Sequence, residues 1–179
     1  MRIPRLEHTD WPVLFARGAC YERMENWPEA EKDLRLALKL NPDQPDVLNY
    51  LGYGLLERGR DMAEARDLIE RAIKQRPDDA QIMDSMGGAR DLQCKYAKAT
   101  HYIEKAVELQ PGDPTVNDHL GDVYWRVGRK TEARYQWERS LTFLPEPAMA
   151  DSIRKKLKDG LPPRAFADTS PSAGADGKP

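Results

Sequence analysis

The chain has 179 residues, 40% of them hydrophobic and 32% charged, with a formal net charge of -2. That length suits one domain with a buried core, and the near-neutral charge gives no global basic field for nucleic acid or for an anionic membrane surface. The longest apolar runs are far too short to span a bilayer, and residues 1–10, MRIPRLEHTD, lack the apolar stretch of a secretory signal, so neither membrane insertion nor export is expected and a cytoplasmic location is.

After the lead-in of residues 1–10 the chain repeats itself. Pro42, Pro77, Pro111 and Pro145 lie 35, 34 and 34 residues apart, and each closes a segment with the same landmarks. Counted from Trp11, the first unit carries Leu14, Arg17, Gly18 and Tyr21, then Ala30, Leu34 and Ala37. This predicts helices at 11–24 and 28–40, with Glu25 in the turn between them and Asp10 as a carboxylate cap before Trp11-Pro12. The second unit has Leu48, Leu51, Gly52 and Leu55 and, after one inserted residue near Met62, Ala65, Ile69 and Ala72. Helices are expected at 45–58 and 62–75, joined through Gly59.

The third unit reads Met83, Met86, Gly87 and Arg90, then Ala99, Ile103 and Ala106, predicting helices at 80–92 and 96–109 with Cys94 in the turn. The fourth reads Asn117, Leu120, Gly121 and Tyr124, then Ala133, Trp137 and Ser140, predicting helices at 114–127 and 131–143 with Gly128 between them and Asp113 as a cap before Pro114. Small residues at the eighth and twentieth places let two antiparallel helices approach closely, and the closing proline, lacking an amide donor, ends the second. Cys20 and Cys94 are separated by several helices, beyond disulfide reach, and are read as unpaired thiols.

Beyond Pro145, Met149, Ile153 and Leu157 recur among Arg154, Lys155, Lys156 and Lys158, predicting an amphipathic ninth helix that ends at Gly160 and Pro162-Pro163. It is expected to cap the stack over 148–160, and the Pro-, Ala-, Gly- and Ser-rich tail of 161–179 is expected to be disordered. At the other end, Trp11, Val13, Leu14 and Phe15 open a helix behind a short lead-in, so that edge is either covered by Ile3, Pro4 and Leu6 or left for docking.

From Trp11 to Pro145 these landmarks resemble the tetratricopeptide repeat pattern, W-x2-L-G-x2-Y…A-x3-F…P. The resemblance implies an all-α, right-handed superhelical solenoid of four helix-turn-helix units, 11–44, 45–79, 80–113 and 114–147, with a carboxy-terminal capping helix. The wording LNYLGYGLLERGR and NDHLGDVYWRVGRKTEARYQWERSL resembles the carboxy-terminal part of longer bacterial tetratricopeptide proteins. A protein-interaction scaffold or adaptor follows, binding a protein or peptide without a cofactor, as a monomer or a homo-oligomer joined at its amino-terminal edge. The alternative is a structural subunit docking through that edge.

In this family the first helix of each hairpin lines the concave face. Its second, fifth, sixth, ninth, twelfth and thirteenth places here include Phe15, Ala19, Glu22 and Arg23; Asn49, Tyr50, Tyr53, Leu56 and Glu57; Gln81, Asp84, Ser85, Gly88, Asp91 and Leu92; and Asp118, His119, Asp122, Trp125 and Arg126. The partner-binding set drawn from them is Asn49, Tyr53, Leu56, Asp84, Asp91, Asp118, Asp122, Trp125 and Arg126. Its four aspartates fall on one wall, either solvating an open groove or complementing a ligand that carries Lys or Arg beside an apolar anchor. The family's clamp for a terminal carboxylate needs Lys and Asn where this chain has Phe15 and Ala19, and basic residues where it has Gln81 and Ser85, so that mode is disfavoured.

Catalysis is not expected. His101 and His119 lie on different repeats, and Asp118, His119 and Asp122 form at most a partial metal site, with no further ligand or nucleophile at useful spacing. Gly52-Tyr53-Gly54 and Gly87-Gly88 belong to helices, not to a phosphate loop. Tyr124, Trp125, Arg126, Arg129, Arg134, Tyr135, Trp137 and Arg139 scatter over several helix faces, which argues against a nucleic-acid platform; Arg126, Arg129 and Arg134 are expected to pair with Glu132, Glu138 and the aspartates.

Overall fold

The computed structural model describes residues 7–162. Among them are a 3-10 turn, His8–Asp10, and nine α-helices: α1 Trp11–Arg23, α2 Trp27–Leu40, α3 Pro45–Glu57, α4 Met62–Gln75, α5 Ala80–Leu92, α6 Tyr96–Leu109, α7 Pro114–Arg126, α8 Lys130–Thr142 and α9 Pro147–Asp159. The first eight form four hairpins. Ile3, Pro4 and Leu6, named above as a cover for the first edge, lie outside the described residues, as does the tail from residue 163 onward.

All four hairpins turn in the same way. The backbone amides of Asn26, Arg60, Lys95 and Arg129 reach back to the carbonyls of Tyr21, Leu55, Arg90 and Tyr124 at 2.9–3.0 Å. The residue before each of them, Glu25, Gly59, Cys94 and Gly128, is left-handed with φ of 58°, 62°, 56° and 85°. This is the Schellman termination, which satisfies the last carbonyls of a helix through one left-handed residue. Glycine takes that conformation without steric cost at positions 59 and 128, whereas Glu25 and Cys94 adopt it against their side chains. The inserted residue of the second repeat lengthens its turn, which is absorbed by a second left-handed residue, Asp61, with φ 44°.

Helix starts differ from one expectation. Asp113 and Asp79 each accept two amides of the following turn, from Thr115 and Val116 and from Gln81 and Ile82. Asp10 does not cap α1; its Oδ2 accepts the Glu7 amide at 2.7 Å. The reason is local geometry, because Asp10 is itself helical at φ -86°, ψ -6°, in the 3-10 turn that leads into α1.

Close approach of the paired helices rests on the eighth-place glycines. A Cβ on Gly18 would stand 3.2 Å from the Leu34 side chain, and one on Gly52 2.8 Å from Ile69. On Gly87 or Gly121 it would overlap Ile103 or Trp137. Between hairpins, the Trp27 indole lies over Gly54, and the Arg58 guanidinium stacks on it 4.2 Å from the ring centre. The fully buried Leu34, Leu48, Leu51, Leu55 and Ile69 anchor one half of the apolar strip. Ile103, Trp137 and Ile153 anchor the other, so α9 is packed into the core through Ile153. Ion pairs such as Arg17–Asp33, Arg35–Glu64 and Arg76–Asp46 tie helices together at the surface of the strip.

Candidate binding groove

The first helices of the hairpins, α1, α3, α5 and α7, stand side by side, and each fifth-place residue faces the sixth-place residue of the next. Phe15 meets Tyr50 edge-on, with ring centres 5.6 Å apart. One step further, Asn49 and Ser85 line the same recess. Next, Asp84 Oδ2 lies 2.7 Å from His119 Nδ1. At the end α9 supplies the cation: Lys156 Nζ donates to both oxygens of Asp118 at 2.7 and 2.9 Å and to Asp122 at 2.9 Å. Asp122 also accepts the Trp137 indole N–H at 2.9 Å.

The aspartate wall is therefore more buried and better paired than an open groove implies. Asp84, Asp91 and Asp118 are 5–7% exposed. Burial opposes the imidazolium of His119, but Asp84, with Asp118 and Asp122 behind it, outweighs that and raises its pKa to about 9. Burial likewise opposes the ammonium of Lys156, and Asp122 and Asp118 hold it protonated beyond the ordinary lysine range.

Trp125 and Arg126, placed in the groove by the repeat register, face the carboxy-terminal segment. The Trp125 indole lies against Gly160 and donates to the Leu161 carbonyl at 3.2 Å, while Lys130 sits on its ring at 3.7 Å. Arg126 donates to the Pro162 carbonyl. Of the arginine pairings expected in this repeat, Arg129 joins Glu132, and it also reaches Glu104.

Asn49, Tyr53, Leu56, Asp84 and Asp91 lie together on the wall of α3, α5 and α7. A recess of about 240 Å³ is lined by Tyr53, Leu56, Glu57, Asp84, Gly88, Asp91, Leu92, Ile103, His119, Asp122 and Val123. Asn49, Tyr50, Tyr53, Gln81, Asp84, Ser85, Asp113, Thr115 and Val116 line a second of about 230 Å³. Tyr53 and Asp84 belong to both. Burial, followed by Glu57 and Asp84, pushes the Tyr53 phenol far above its usual range. Sequence reasoning missed the role of Lys156. Its signal was the position between Ile153 and Leu157 on the narrow apolar stripe, where a solvated lysine is out of place.

Among the described residues no helix is long and apolar enough to cross a membrane, and no three His, Cys, Asp or Glu side chains are grouped to hold a metal ion. Cys20 and Cys94 are free and exposed.

Stacked helical hairpins with a lined inner wall define a right-handed superhelical solenoid of the interaction-scaffold class. A family model described as tetratricopeptide repeat matches residues 16–80 and 93–147, and the chain belongs to that family. Proteins of this family in general bind protein partners and serve as scaffolds. Over 93 residues, 52% of its length, the chain is 41% identical to a TPR repeat-containing protein of Pseudomonas aeruginosa, of which that stretch is 16%. Over 87 residues, 49% of its length, it is 33% identical to bacteriophage adsorption protein A of Escherichia coli, of which that stretch is 9%. The chain thus matches a small part of either relative. In fold it is similar to MamA of Desulfovibrio magneticus, at TM-score 0.62 and 22% identity over 75% of each chain. It is also similar to PilF of Pseudomonas aeruginosa, at TM-score 0.63 and 20% identity over 83% of this chain and 69% of that one.

Proposed function

We propose that the chain is a cytoplasmic, non-enzymatic scaffold of four units, 11–44, 45–79, 80–113 and 114–147, that holds a protein or peptide segment along the wall of α3, α5 and α7. Asn49, Tyr53, Leu56, Asp84 and Asp91 form the central contact surface; Asp118, Asp122, Trp125 and Arg126 form the end that α9 shares. The segment carries a basic residue beside an apolar anchor.

One observation carries this reading. Asn49 Oδ1 and Asp84 Oδ1 are buried, accept no hydrogen bond and belong to side chains lining the same recess. A buried acceptor left unpaired costs about 1–3 kcal/mol, which a segment presenting N–H donors would recover. Site-specific photo-crosslinking tests it. A photoreactive residue at Leu92, 41% exposed in the groove, should form discrete adducts with a cellular partner, and one at Tyr135, 60% exposed on α8, should not. Adducts at Tyr135 alone would reverse the assignment.

A second reading, docking or self-association through the first hairpin, is favoured by Val13, which is 69% exposed on α1 next to the partly buried Trp11. Val13→Glu should then lower the mass measured by sedimentation; an unchanged mass removes this reading.

A further inference from the structure

We infer that a lysine or arginine side chain of the bound segment enters the recess beside Gly88, where Asp84, Glu57 and Asp91 receive its charge, while an adjacent apolar side chain of the segment rests on Leu56 and Leu92. This inference rests on the groove reading above and specifies its chemistry.

The seat exists because one place on the wall has no side chain. The ninth place is Tyr53 on α3 and Asp122 on α7, but Gly88 on the helix between them. A Cβ at Gly88 would meet only Leu56, at 3.7 Å, so the space above this turn of α5 is open. Carboxylates surround the opening from three helices: Glu57 on α3, Asp84 and Asp91 on α5, and Asp122 on α7. The cations beside them include Arg58, 3.8 Å from Glu57, His119 on α7 and Lys156 on α9, and Lys156 is shared with Asp118. Asp84 adds a specific demand. Its side chain is 9% exposed, one oxygen is held by His119, and the other accepts nothing. A buried carboxylate in that state favours one more donor, and a charged donor most of all.

The molecule already contains an example of the proposed contact one step along the same wall. Asp118 is the counterpart of Asp84 in the fourth repeat, and Lys156 of α9 delivers its ammonium there while Ile153 and Leu157, three residues before and one after, pack on the apolar core. A cation flanked by apolar side chains is therefore the chemistry this wall accepts from an added segment. The high pKa values of Tyr53 and His119 lean the way a negative recess dictates. An anionic ligand would meet carboxylates on three sides.

The test is selection of random twelve-residue peptides displayed against the immobilised full-length chain, followed by titration of a labelled selected peptide. Enrichment of Lys or Arg beside Leu, Met or Phe is expected. Affinity should fall about tenfold when the peptide's cation is replaced by Gln, and by several-fold in Glu57→Gln or on raising salt from roughly 50 to 300 mM. Gly88→Leu fills the seat and should abolish binding with unchanged circular dichroism. Peptides that need Gly88 but show no basic preference and no response to Glu57→Gln would overturn the cation seat and leave the groove reading intact. Peptides indifferent to Gly88→Leu would overturn both. Selection of nothing, whether by a monomer or by a dimer that Gly88→Leu dissociates into single chains, would also overturn the inference, the dimer showing that a second copy occupies the groove.

Discussion

His119 reaches from α7 to Asp84 on α5 and closes to 2.7 Å, a contact in which the imidazolium is favoured up to a pKa of about 9. The ordinary value is 6.5, so the folded state holds the proton more tightly than the unfolded chain. The stabilisation is fully present below pH 6.5 and is lost as pH rises through about 9. With the side chain 28% exposed, its size is on the order of 2–3 kcal/mol. The urea midpoint should therefore fall between pH 6.5 and 9.5, and most of that fall should vanish in His119→Gln. A wild-type midpoint that stays flat across this interval would refute the assignment.

Gly87 and Gly88 are neighbours with opposite surroundings. A methyl on Gly87 would overlap Ile103, whereas one on Gly88 meets nothing closer than 3.7 Å. Gly87→Ala should destabilise by about 1–3 kcal/mol through overpacking. Gly88→Ala should stabilise by about 0.5–1 kcal/mol, because alanine loses less backbone freedom in a helix interior. Denaturant titration of the two single variants decides it, and the same sign in both would contradict the packing described.

Cys94 and Glu25 occupy the left-handed turn position that is glycine in the other two hairpins. Replacing either by glycine removes a steric cost of about 1–2 kcal/mol while adding unfolded-state freedom, for a net gain of about 0.5–1 kcal/mol. Thermal unfolding of Cys94→Gly should show a higher midpoint; Gly128→Ala should show a lower one. A drop in Cys94→Gly would mean that the cysteine side chain contributes contacts beyond its conformation.

Lys156 bridges two carboxylates and is itself 14% exposed, with Asp118 at 7%. Lys156→Met keeps the bulk but leaves that charge without its partner, at a cost of about 3 kcal/mol. Adding Asp118→Asn should restore a large part of it. The coupling between the two changes, measured as a double-mutant cycle, should be at least about 1 kcal/mol; an additive result would show that the pair carries no interaction energy of its own.

The positions of the eight hairpin helices were legible because their signals are local. The proline period, the eighth-place glycines and the apolar spacing each act within one hairpin, and the observed ends fall within one residue of the expected ones. Asp10 misled because a carboxylate before Trp-Pro looks the same whether the preceding residues are extended or already turning. At the groove, the register located the wall residues, but Asp84–His119 and Asp118–Lys156 join residues 35 and 38 apart, a pairing that no local pattern marks. Lys156 reads in sequence as one of several basic residues; its place on the stripe beside Ile153 and Leu157 hints at burial but not at a partner, and the packing of those two turns it toward Asp118.

That packing places α9 where the first helix of another hairpin would stand, with Lys156 answering Asp118 as His119 answers Asp84. Anyone lengthening the array at this end therefore cannot simply append a repeat after Pro162. The join has to fall before Pro147, and the incoming helix must bring its own base opposite Asp118, or the last native hairpin will be left with an acid that has lost its counter-ion.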